Sequence, residues 1–134
     1  MNSNKSSLEV IASKSRSLLR TLCVTSGQVE ATALVSHDGL IVASVMSEAI
    51  DVDRFGAMCA SLLALAHRAA KEVSRGELRQ IILDGSLGPM VLTQAGKAGV
   101  LAVAATPAVK LGQLILDTRN TARALSELAG STGV

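Results

Sequence analysis

Ser36-His37-Asp38 brings together the side-chain types of a hydrolytic triad: a hydroxyl nucleophile, an imidazole base and a carboxylate. Their adjacency works against that chemistry. Neighbours on an extended chain point to opposite faces, so three in a row cannot pass a proton from hydroxyl to imidazole. Asp38-Gly39 between apolar runs marks a tight turn instead, with glycine taking the positive φ. Gly96-Lys97 has the ending of a phosphate-binding loop, but Val91 stands where the first glycine belongs and Ala98 replaces the hydroxyl residue. Gly85 to Gly88 reads as another turn. His37 and His67 fall on different elements, and neither has a second His or Cys at ligand spacing, so no metal site is expected. Asp38, Asp51, Asp53, Asp84 and Asp117 fall at caps and turns rather than converging for acid–base work. The residues therefore argue for no intrinsic enzymatic activity, no cofactor and no small-molecule substrate.

Bulk composition narrows the class further. The 134 residues, 13.7 kDa, suit one domain, 1–134, and a compact monomer of this mass exposes roughly 6,600 Å². A net charge of +2 is too balanced for a nucleic-acid footprint, and with Phe55 the single aromatic, base stacking on aromatic side chains is excluded. At 49% apolar and 18% charged the chain is built to fold. Uncharged runs such as 55–66 and 98–109 fall short of the roughly 20 residues that cross a bilayer. The polar start Met1-Asn2-Ser3-Asn4-Lys5 is unlike a secretory signal. Cys23 and Cys59, without CxxC spacing, read as buried thiols of a reducing compartment, and a cytoplasmic location is expected.

The elements that would position any functional side chain follow from periodicity. Ser6 and Glu9 have capping-box spacing, and Leu8, Ile11, Ala12, Ser15, Leu18, Leu19 and Leu22 recur at helical intervals, predicting a helix over 6–22 that ends before Gly27. Runs 29–35 and 40–45 around Asp38-Gly39 predict a β-hairpin. Asp51 is an N-cap for a central helix over 51–74, with Ile50 poised to staple onto Phe55. Its sheet-facing stripe is expected to be Phe55, Met58, Cys59, Leu62, Ala66, Ala69, Ala70 and Val73. The back is small (Ala57, Ala60, Ser61, Ala64) and then polar. Strands are predicted at 78–83, 90–95 and 100–104. Thr106-Pro107 has the N-cap and first-turn signature of a last helix over 107–129, ahead of a frayed tail. The fold class is α+β, an α/β sandwich: a five-stranded antiparallel sheet with helices on both faces in the order α-β-β-α-β-β-β-α.

Val29 through Leu125 resembles the Roadblock family of dynein light-chain-type domains. The resemblance is carried by Asp38-Gly39-Leu40-Ile41-Val42-Ala43, the long Ala-rich helix, Gly76 to Leu83, Gly99-Val100-Leu101-Ala102-Val103 and Leu111-Gly112 to Arg119. It implies a profilin/longin-like fold and a homodimer in which the sheets of two protomers join and the central helices pair antiparallel. It also implies a binding platform for a Ras-like small GTPase in signalling or polarity, in the prokaryotic branch, with stimulation of GTP hydrolysis as one mode. A scaffold or adaptor, like a motor light chain and without effect on hydrolysis, is the alternative.

Two surfaces are expected from these residues. The dimer interface would comprise Ala57, Ala60, Ser61 and Ala64 of the central helix with Arg79, Ile81 and Leu83 of the third strand. GTPase binding would fall to His67, Arg68, Lys71, Glu72 and Arg75, clustered at helical spacing at the polar end of the same helix.

Overall fold

The computed structural model describes residues 2–131. The first helix, α1, runs Asn2–Ser26, and the hairpin strands are β1, Val29–Val35, and β2, Ile41–Val45. The second helix, α2, spans Val52–Glu72. Strands β3 (Gln80–Gly85), β4 (Gly88–Gln94) and β5 (Val100–Ala105) follow, with a short 3₁₀ turn at Gly96–Ala98, and α3 (Leu111–Ser131) comes last. The five strands form one antiparallel sheet in the order β2-β1-β5-β4-β3, so β2 and β3 are its edges. Element order and antiparallel pairing are as the periodicity predicts.

The first hairpin turn is held locally. Ser36 N–H donates to the Leu40 carbonyl at 2.8 Å, and Gly39 N–H to that of Ser36 at 2.9 Å. Gly39 takes φ +87°, the left-handed conformation that makes glycine the favoured residue here. Ser86-Leu87 joins β3 to β4 as a two-residue turn closed by the Gly85–Gly88 pair.

Alternation of side chains divides the core in two. On one face α1 and α3 lie side by side and bury Leu19, Leu22, Leu114 and Leu125 against Leu34, Val91, Leu101 and Val103. On the other face α2 alone packs, mainly over β1 and β2, with Cys59 buried among Ala33, Val35, Leu92, Val100 and Ala102. Burying one such leucine contributes roughly 1.5–3 kcal/mol, so the two-helix side is the stronger half. Towards β3 the α2 face is covered less: Ile81 and Met90 are half-buried and Leu83 is 43% exposed.

Several boundaries differ from expectation, each for a local reason. The first helix begins well before Ser6, so the Ser6–Glu9 pair falls inside it rather than at its start, and Leu8 is exposed. Its C-terminus is as expected, with Gly27 at φ +73° donating to the Cys23 carbonyl at 3.1 Å. Thr106-Pro107 does not open α3. Val109 N–H bonds the Thr106 carbonyl at 3.1 Å, which makes a separate turn with Pro107 at its second position, and the helix starts four residues later. The Thr106 hydroxyl, free of capping duty, donates to Gln28 Oε1 at 2.6 Å. Gly130 and Ser131 still belong to α3; the rest of the expected frayed tail lies outside the described residues. Arg79 immediately precedes β3, and its carbonyl accepts from Gln94 N–H at 3.3 Å.

Candidate functional site

The triad-like run is a turn and nothing more. Ser36 Oγ accepts from Leu40 N–H at 3.1 Å, and His37 Nε2 lies 2.9 Å from the Gly96 carbonyl, so both side chains brace the loop ends of the sheet. Among the described residues no three His, Cys, Asp or Glu side chains are grouped to hold a metal ion, and no helix is long and apolar enough to cross a membrane. Burial pushes the Cys59 thiol up to about 11 and raises Cys23 as well, which keeps both in the unreactive protonated form.

α2 organises the surface on which the candidate residues lie. Asp51 caps it as expected, its Oδ1 accepting from Arg54 N–H at 3.1 Å. The buried stripe is rotated from the expected one. Of the expected stripe, Cys59 is buried and Phe55, Leu62, Ala66 and Ala70 are half-buried, but Met58, Ala69 and Val73 are exposed, and Gly56, Ala60, Leu63 and His67 take the covered side in their stead. Gly56, whose missing side chain lets the helix approach the Gly39 turn, brings small residues into the stripe beside Phe55, Leu62 and Leu63. Ala60 thus packs towards Gly39 within its own chain and is not part of a free back face. His67 is half-buried and lies between two openings: it lines a pocket with His37, Ala60 and Leu63 and also borders the cleft at the end of α2.

What α2 leaves outside is Ala57, Ser61 and Ala64, together with Met58 at 56% and Leu65 at 62% exposure. Helical periodicity alone puts Met58 on the sheet side; the structure turns it outward, beside Leu65. On β3, Ile81 packs on the second core cluster, and Leu83, on the same face, is far more exposed. Since β3 is an edge strand, its outer rim carries unpaired backbone groups.

Arg68, Lys71, Glu72 and Arg75 are all exposed around the C-terminal end of α2. Arg75 N–H donates to the Ala70 carbonyl at 2.7 Å, and its Nε to that of Val73 at 3.0 Å, so the side chain folds back on the helix end. Ser74, at φ +58°, makes the reversal that places it there. Beside this end an open cleft of about 1270 Å³ runs past Arg75, Arg79 and Gln80 to Thr93 and Arg119. Sequence reasoning did not foresee it, because Arg119 lies 40 residues or so away on α3 and only the fold brings it near β3.

Comparison with known proteins places this geometry. The Myxococcus xanthus MglB structure superposes with a TM-score of 0.81 at 19% identity, covering 87% of this chain and 88% of that one. A structure described as MglB with tetrameric arrangement gives 0.80 at 18% identity, over 90% and 91% of the two chains. At such identities the likeness is one of fold. In sequence, uncharacterized protein MJ0310 of Methanocaldococcus jannaschii is 30% identical over 94 residues, 70% of this chain and 82% of that protein. The model of the Roadblock/LC7 domain matches residues 17–105, from the buried half of α1 through β5. The chain belongs to the Roadblock/LC7 domain family.

Proposed function

We propose that the protein is a cytoplasmic, homodimeric platform that binds and regulates a Ras-like small GTPase and has no catalytic centre of its own. One observation carries the dimer. The sheet has two helices on one face and one on the other, and the thinly covered face exposes Met58, Leu65 and Leu83 beside an unpaired strand edge. The chain's surface, 8188 Å², exceeds that of a compact monomer of this mass by roughly 1,600 Å², more than the roughly 800 Å² that each partner buries in a standard protein–protein interface. A second copy laid on Ala57, Ser61, Ala64 and the β3 rim would cover it.

The GTPase reading rests on family membership, and the surface offered for it is the α2 end: Arg68, Lys71, Glu72 and Arg75, with His67 behind them. With the central helices antiparallel, the two copies of this end lie on opposite sides of the dimer axis and present two equivalent polar patches. Arg75 is tied to its own helix end, which favours a docking charge over an arginine finger reaching into the nucleotide site. Mixing the purified protein with a Ras-like GTPase from the same genome and following GTP hydrolysis tests the regulatory role. Faster hydrolysis supports it; binding with unchanged hydrolysis leaves a scaffold.

A further inference from the structure

We propose that the outer face of α1, with the adjoining side of α3, is a docking surface for an anionic lipid bilayer. Charge is concentrated there. The helix α1 carries Lys5, Lys14, Arg16 and Arg20 against Glu9, a net +3 in a chain of +2, so the rest of the chain is slightly acidic. Lys14, Arg16 and Arg20 are exposed, and so is Arg123 of the adjoining α3. The ion pair found among the described residues joins Arg54 to Asp51, so none of these cations is paired with a carboxylate.

Aliphatic side chains share the face. Val10, Ser17 and Val24 recur every seven residues and fall on one line of the helix, turned away from the buried Ser15, Leu19 and Leu22. Lys14 lies to one side of that line, and Arg16 and Arg20 to the other. Val10 is 45% exposed and Val24 82%; on α3, Leu116, seven residues before Arg123, is 52% exposed.

Position keeps the face free. α1 packs over β1 and β2, at the end of the sheet farthest from β3, and on the face opposite α2. Neither the proposed dimer contact nor the GTPase patch reaches it, so this inference goes beyond the platform reading. Cations strung along ~37 Å of helix suit a field of headgroup phosphates rather than one pocket. Each such cation near an anionic leaflet strengthens binding about fivefold, and the valines between them enter the headgroup layer. A single-stranded nucleic acid would find no aromatic platform here, since Phe55 packs on the other face of the sheet.

The test is co-sedimentation of the full chain, at low salt, with vesicles of phosphatidylcholine alone and of phosphatidylcholine and phosphatidylglycerol in equal amounts. The protein should pellet with the anionic vesicles and stay in solution with the neutral ones. Arg16→Glu and Arg20→Glu should each weaken binding about fivefold or more. Val24→Ser should weaken it several-fold, and all three variants should keep the circular dichroism and Tm of the wild type. Arg54→Glu, the same change of charge on α2, should leave vesicle binding as it is. Equal binding to neutral vesicles, no binding to anionic ones, or as large a loss in Arg54→Glu as in Arg20→Glu overturns the proposal. So does an oligouridylate that, at equal charge concentration, strips the protein from the vesicles. The assay contains no GTPase, so its outcome is separate from that of the platform reading.

Discussion

Gly56 of α2 lies so close to Gly39 of the first hairpin that a β-carbon on it would stand 2.7 Å from the Gly39 carbonyl oxygen and 3.1 Å from Ile41 Cδ1. The reverse view is less tight but still close, since a β-carbon on Gly39 would meet that of Ala60 at 3.2 Å. Alanine is the better helix former by ~1 kcal/mol, yet the contact here is with backbone and has little room to relax. Gly56→Ala should therefore destabilise the fold by ~1–3 kcal/mol, read as a lower urea midpoint. An unchanged or higher midpoint would show that α2 is free to shift off the turn.

Thr118 is fully buried on α3, and its hydroxyl has no hydrogen-bond partner. Valine keeps the shape and removes the unpaired oxygen. Thr118→Val should raise stability by ~1 kcal/mol in thermal or chemical unfolding. A loss of stability would mean that the hydroxyl has a partner.

Cys59 is 3% exposed with its thiol at about 11, against 9.0 for the free group. Below pH 9 both folded and unfolded chains hold the proton, and the contribution to stability is complete. Between 9 and 11 only the unfolded thiol ionises, so stability falls with pH by up to ~1.4 kcal/mol per unit. Cys59→Val should flatten that alkaline slope, and at neutral pH a thiol reagent should label the half-buried Cys23 first. Faster labelling of Cys59 would contradict its burial.

Ala64 is exposed on the outer side of α2. In a dimer built on this face, an arginine there forces a long charged side chain into a close helix contact, costing ~1–3 kcal/mol or more. Light scattering of the wild type should give twice 13.7 kDa, and Ala64→Arg should shift it towards the monomer with unchanged circular dichroism. A wild type that remains at 13.7 kDa at micromolar concentration removes the dimer.

Much of this was legible in the sequence because local signals agreed with the fold. Asp38-Gly39, Asp51 and Gly27 each did what their turn and cap chemistry dictates. What stayed hidden was decided between elements. How α2 seats on the sheet depends in part on how nearly Gly56 can approach a turn 17 residues earlier, and no periodicity within the helix records that contact. Thr106-Pro107 fits both a helix start and a turn, and the bond from the Thr106 hydroxyl to Gln28 favours the turn. Of the surface residues, Arg68, Lys71, Glu72 and Arg75 are exposed as helical spacing suggests. His67 and Ala60 are half-buried, and the cleft reaching Arg119 exists only once α3 has packed on the sheet.

The most direct measurement of the platform reading is the affinity of the dimer for GTP-loaded Ras-like GTPases of the same genome. The wild type is compared with the combined variant Arg68→Glu, Lys71→Glu, Arg75→Glu. The account predicts that at least one GTPase binds the wild type, and that the variant, still dimeric, binds it about tenfold or more weakly. No binding by any of them, or equal affinity for wild type and variant, would contradict it.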